Sequence, residues 1–71
     1  MKGSEFIKKI RELGRKRDVE VRIQSKRGKG SHITLYYGNR KTIVKDRTKE
    51  IGIGLLNAML NQLGLKRSDI E

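Results

Sequence analysis

A chain of 71 residues with no cysteine and no proline has to hold its fold by packing alone, because no disulfide can staple it. Its 18 Lys+Arg against 8 Asp+Glu give a formal net charge of +10, above the magnitude of about 2 to 8 that keeps a small domain soluble. One domain over residues 1–71 is the expectation, with a field that favours polyanionic partners.

Nucleic acid is the commonest polyanion, since neutralising several phosphates releases counterions and supplies most sequence-independent affinity. An acidic protein or an anionic membrane surface would feel the same field. No run of residues is apolar enough to cross a bilayer. The opening Met-Lys-Gly-Ser-Glu-Phe-Ile-Lys-Lys-Ile lacks the continuous apolar stretch of a signal peptide, and a cytoplasmic protein is expected.

Ser4 followed by Glu5 reads as a helix start, a serine oxygen and a carboxylate both suiting free N–H groups. Phe6, Ile10 and Leu13 repeat at helical spacing with Ile7 beside them, giving an amphipathic helix with a basic outer face that is expected to stop at Gly14. From Val19 the period changes to two. Val19, Val21 and Ile23 alternate with Glu20, Arg22 and Gln24, the pattern of a half-buried strand.

After the segment Lys26-Arg27-Gly28-Lys29-Gly30-Ser31, Ile33, Leu35 and Tyr37 alternate with His32, Thr34 and Tyr36. Gly38-Asn39 supplies a two-residue turn, and Arg40 to Asp46 is the third strand. A turn that short fixes the register: Tyr37 faces Arg40, Leu35 faces Thr42, Ile33 faces Val44 and His32 faces Lys45. Placing Ile23 opposite Ile33 would set Gln24 opposite His32 and leave a five-residue loop, Lys26 to Gly30. The last helix is expected from about Gly52 to Leu63, with Ile53, Leu56, Met59, Leu60 and Leu63 buried and Gly64-Leu65 as a left-handed cap. No charged residue occurs between Ile51 and Leu65, so this helix is either a well-buried core element or a surface for a partner.

The resulting fold class is α+β in the order α-β-β-β-α, a three-stranded antiparallel sheet with two helices on one face. The opposite, wet face carries His32, Thr34, Tyr36, Arg22 and Gln24.

One histidine, no cysteine and no tight carboxylate cluster cannot supply a zinc or magnesium site, so no metal is expected. Gly28 and Gly30 lie between strands rather than at a helix start, unlike a P-loop or dinucleotide fingerprint, so no nucleotide or other small-molecule cofactor is expected. Ser31 and His32 are adjacent on a strand and point to opposite faces, which disfavours nucleophilic hydrolysis by that pair. What remains for His32 is acid–base chemistry by a lone imidazole among cations, or a plain solvated phosphate contact. As an acid–base group it could take the proton of an RNA 2′-hydroxyl or protonate the departing 5′-oxygen. Lys29, Lys45 and the backbone around Gly28, Gly30 and Ser31 would then hold the phosphate. Arg15, Lys16, Arg17, Arg22, Gln24, Lys26 and Arg27 would follow the RNA backbone.

Gly30-Ser31-His32 opening the second strand, with Lys49-Glu50-Ile51, Gly54, Leu56, Leu60 and Gly64-Leu65 downstream, resembles the HicA family of toxin mRNA interferases. The likeness runs from Ser4 to Leu65. It implies a fold like the double-stranded-RNA-binding domain, endoribonuclease activity on mRNA with His32 as the catalytic histidine, and inhibition by an acidic HicB-like antitoxin. Where the family commonly has a Val-Pro-His-like stretch this chain has Val44-Lys45-Asp46, and Leu55 stands where a threonine is usual. Two other readings stay open from the residues alone: a non-catalytic RNA-binding module, and a DNA-binding regulator. The latter is disfavoured by the lack of a helix-turn-helix and by the uncharged last helix.

Overall fold

The computed structural model describes residues 1–25 and 32–71. Its elements are α1 (Gly3–Arg17), β1 (Val21–Ser25), β2 (Ile33–Tyr37), β3 (Arg40–Val44), α2 (Ile53–Gln62) and one further turn, α3 (Arg67–Ile70). The strands pair antiparallel in the order β1-β2-β3. Phe6, Ile10 and Leu13 of α1, Leu56 and Leu60 of α2, and Ile33, Leu35 and Val44 of the sheet share one core. The expected α-β-β-β-α order with both long helices on one sheet face is therefore present. The short α3 is an addition, burying Ile70 against α1.

Helix α1 departs from expectation at both ends. It begins at Gly3 rather than Ser4, and its first free N–H groups are satisfied by backbone, not by a serine hydroxyl. Gly3 N–H donates to the Lys49 carbonyl at 3.2 Å and Ser4 N–H to the Arg47 carbonyl at 2.9 Å. Glu5 does the work expected of it, its Oε1 accepting from Lys2 N–H at 3.1 Å. The 46–50 segment lies so close that a Cβ on Gly3 would stand 2.5 Å from the Asp46 carbonyl oxygen.

Nor does the helix stop at Gly14. It continues to Arg17 and ends at Asp18, which adopts the left-handed conformation at φ 57°. Gly14 is present for space, because a Cβ there would fall 2.4 Å from Val21 Cγ2 and 2.7 Å from the Val19 carbonyl oxygen. The extra turn takes up residues expected to approach the first strand, so β1 begins at Val21 and Val19 only packs at the core margin.

The β2–β3 register is as the two-residue turn dictates: Tyr37 opposite Arg40, Leu35 opposite Thr42, Ile33 opposite Val44. β3 closes at Val44, two residues before the expected end. The β1–β2 register is different. Ile23 lies opposite Leu35, Gln24 opposite Thr34 and Ser25 opposite Ile33. This is a shift of two residues, which preserves the faces, so alternation alone cannot detect it. Pairing instead extends to Val21 and Tyr37, with Gly38 N–H donating to the Glu20 carbonyl at 2.8 Å just beyond the ladder.

In α2, Leu56, Met59, Leu60 and Leu63 are buried as the spacing predicts, but Ile53 is 59% exposed. Ile53 is the first residue of the helix, and burial on its core side begins at Leu56. Gly64, at φ +73°, ends the helix. Gly64 N–H donates to the Asn61 carbonyl at 3.0 Å and Leu65 N–H to the Leu60 carbonyl at 2.8 Å, the two crossed bonds of a Schellman cap. Across the layers, the hydroxyl of buried Thr42 donates to Gln62 Oε1.

Candidate nucleic-acid interface

Strand alternation separates the sheet into two chemically distinct faces. Ile33, Leu35, Tyr37, Thr42 and Val44 point to the helices and are buried. Arg22, Gln24, Thr34, Tyr36, Lys41 and Ile43 stand on the other side, exposed or half-buried. His32 is exposed and immediately precedes β2, in the same alternation as Thr34 and Tyr36. Lys45 is exposed one residue beyond β3, in step with Lys41 and Ile43. The ladder itself ends at Ile33 opposite Val44, so the expected His32–Lys45 pair adjoins the last ladder pair and is not itself a rung. His32 also does not face Gln24, whose partner is Thr34.

The centre of this open face is tied together. The Arg22 guanidinium lies over the Tyr36 ring, 4.6 Å from its centroid, within range of a cation–π contact. The Tyr36 hydroxyl donates to Gln24 Oε1 at 3.2 Å. Arg22 also approaches Glu20, with Nε 4.0 Å from the carboxylate. Toward β3, Lys41 is the cross-strand partner of Tyr36 and Ile43 that of Thr34. Ile43 is 54% exposed and Leu55 on α2 is 49% exposed. A groove runs from Gln24 and Tyr36 over Ile43 and Lys45 to Leu55.

Of the expected site residues, then, Arg22, Gln24, His32 and Lys45 belong to the open face or its end. Lys26, Arg27, Gly28, Lys29, Gly30 and Ser31 lie outside the described residues, as does the expected five-residue loop. Arg15, Lys16 and Arg17 are exposed in the last turn of α1, in the helix layer on the far side of the sheet from the open face. Arg17 already has a partner: its Nη2 donates to Asp69 Oδ1 at 2.8 Å, a contact that raises the Arg17 pKa above its ordinary value. Asp69 is held below the usual carboxylate range, first by the Lys66 N–H that it accepts at 2.7 Å and then by Arg17.

Asp46 also lies below the ordinary range, because the Thr48 hydroxyl and N–H donate to it at 2.7 and 2.8 Å. That turn sets the Arg47 and Lys49 carbonyls at the start of α1, a structural task for the first residue after Lys45. Among the described residues no three His, Cys, Asp or Glu side chains group closely enough to hold a metal ion, and residues 26–31 contain none of these types. No helix among the described residues is long and apolar enough to cross a membrane.

Lys41, Ile43 and Tyr36 were not among the expected site residues, nor was the linkage of Tyr36 to the expected Arg22 and Gln24. The turn register carried the signal for the first two, since fixing Tyr37 opposite Arg40 also fixes Lys41 beside Tyr36 and Ile43 beside Thr34 on the wet face.

A family model described as the HicA toxin of bacterial toxin-antitoxin systems matches residues 3–65. A protein of Pseudomonas fluorescens (strain Pf0-1) named probable mRNA interferase HicA is 34% identical over 67 residues, spanning 93% of this chain and 98% of that relative. No solved structure matches the chain.

Proposed function

The chain belongs to the HicA toxin family, and from that premise we propose that it is a toxin that cuts mRNA in the cytoplasm with His32 as its acid–base group. Residues 1–71 act in this reading as one HicA-like domain. The observation that carries it is the exposed position of the chain's one histidine, at the mouth of β2, in step with the open cationic face and inside the segment the family model covers.

RNA carries its own nucleophile. In the forward step the His32 imidazole takes the 2′-hydroxyl proton as the 2′-oxygen attacks the adjacent phosphorus. The bond from phosphorus to the 5′-oxygen breaks, and that oxygen leaves with a proton drawn from water, giving a 2′,3′-cyclic phosphate and a 5′-hydroxyl end, while the imidazolium returns its proton to solvent. An imidazole is the side chain suited to taking and giving a proton at cellular pH. Lys45 is suited to the charge growing on the phosphate, with Lys29 and the backbone at Gly28, Gly30 and Ser31 as further donors. Arg22, Gln24, Lys26 and Arg27 extend the track for the RNA backbone. Arg15, Lys16 and Arg17 form a second basic surface, of which Arg17 is the least available because Asp69 holds it.

The donor set supports metal-independent chemistry, since a lone imidazole without thiols or clustered carboxylates is a poor ligand shell. A carboxylate-rich HicB-like antitoxin complements the net charge of +10. Purified protein incubated with RNA in EDTA tests the proposal: cleavage by the wild type that His32→Ala abolishes is the expected result, and none by the wild type overturns it. The second reading, a non-catalytic RNA-binding module, has the same basic face in its favour. It predicts salt-sensitive binding without scission, and a His32→Ala protein that binds as the wild type does.

A further inference from the structure

We propose that the Arg22–Tyr36 stack on the open sheet face is a platform for an unpaired nucleobase, so that the RNA is held single-stranded a short way from His32. The inference deepens the reading of this face as an RNA surface and rests on it. Three features lead to it. The guanidinium 4.6 Å from the Tyr36 centroid makes a flat, cationic stack of the kind on which bases settle with little regard to sequence. The Tyr36 hydroxyl is spent on Gln24 Oε1, which fixes the ring and leaves the Gln24 amide NH2 as a donor for a base edge. Around the stack, apolar and cationic groups interleave: Ile43 at 54% exposure, Lys41 directly opposite Tyr36, and Lys45 at the end of the groove.

Charge selects the occupant. The strand positions on this face carry cations and no carboxylate; Glu20, 4.0 Å from Arg22, precedes the strand. A strand rises about 3.3 Å per residue, so Tyr36 lies roughly 10 Å along β2 from Ile33, which adjoins His32. That span corresponds to a few nucleotides of single strand. A duplex keeps its base faces stacked inside and could offer this surface only phosphates, 2′-hydroxyls and base edges, leaving the aromatic stack without a role.

The test measures binding of the full chain to a short labelled 2′-O-methyl RNA, which lacks the nucleophile and is not cut by the proposed route. Tyr36→Ala is expected to weaken binding about tenfold, Tyr36→Phe to leave it nearly unchanged, and neither to alter the salt slope, since stacking releases no counterions. Lys41→Ala should instead lower that slope by about one. The same strand annealed to its complement should compete poorly. A second arm changes only the RNA: one abasic nucleotide stepped along the strand should weaken binding sharply at a single position. Wild-type affinity in Tyr36→Ala, equal competition by duplex, or an even loss across the abasic series overturns the platform. Cleavage of unmodified RNA is read separately. A chain that cuts but shows no Tyr36 dependence loses the platform and keeps the nuclease, and a chain with the Tyr36 dependence that never cuts does the reverse.

Discussion

Gly14 in α1 lies directly against Val21 in β1, close enough that a Cβ on the glycine would stand 2.4 Å from Val21 Cγ2. The second obstacle is the Val19 carbonyl oxygen at 2.7 Å, and backbone cannot swing aside as a long side chain can. Two effects of opposite sign meet at this position. Alanine is the better helix former by about 1 kcal/mol, while overpacking a close approach costs about 1 to 3 kcal/mol. With backbone in the way the second wins, so Gly14→Ala is expected to destabilise. Gly54 is the control: nothing lies within 4 Å of a Cβ there, so Gly54→Ala should stabilise by roughly 0.5 to 1 kcal/mol. Thermal melts of the two variants should move in opposite directions, by about 4 to 8 °C per kcal/mol in a domain of this size.

The Thr42–Gln62 bond gives a prediction in which the order of two variants matters more than either value. Thr42 is buried and Gln62 is exposed. Thr42→Val removes the buried hydroxyl and leaves an amide that water can reach, at a cost of about 0.5 to 1.5 kcal/mol. Gln62→Ala strips the partner from a buried hydroxyl and should cost more, about 1 to 3 kcal/mol. Urea melts of both proteins check the order, and Gln62→Ala as the milder change would show that the hydroxyl finds another acceptor.

Acid should loosen the attachment of α3 before the core. Asp69 and Asp46 both have folded pKa values below the ordinary one. Each therefore adds stability that is present above the unfolded carboxylate value, about 4, and is lost as pH falls through the lower folded value. Asp69→Asn should lower Tm at pH 7, and the gap from the wild type should close as the pH drops below 4. A gap that stays constant to pH 3 would mean that the carboxylate charge contributes nothing at Asp69.

Sequence periodicity made the architecture readable, because both helical stripes and all three alternating strands point to one core. The Gly38-Asn39 turn did the same for β2 and β3, since a two-residue connection leaves no freedom of register. The β1–β2 register was not legible, because a shift of two residues keeps Ile23 and Gln24 on their own faces. Gly14 misled for a related reason: a glycine required by a neighbouring strand looks in sequence like one that ends a helix. The α3 turn carries a single buried apolar residue, Ile70, too little for any period. At the site, alternation placed His32, Arg22 and Gln24 on the wet side, but the Arg22–Tyr36 stack depends on side-chain conformations that spacing does not encode.

His32 bears most of the functional account, and the rate of RNA cleavage in EDTA, measured for the wild type and His32→Ala on one substrate with the product ends identified, tests it most directly. The account predicts cleavage by the wild type, 2′,3′-cyclic phosphate ends on the products, and loss of at least about a hundredfold in the variant. Equal rates for the two proteins, or cleavage only when a divalent metal is added, would contradict it.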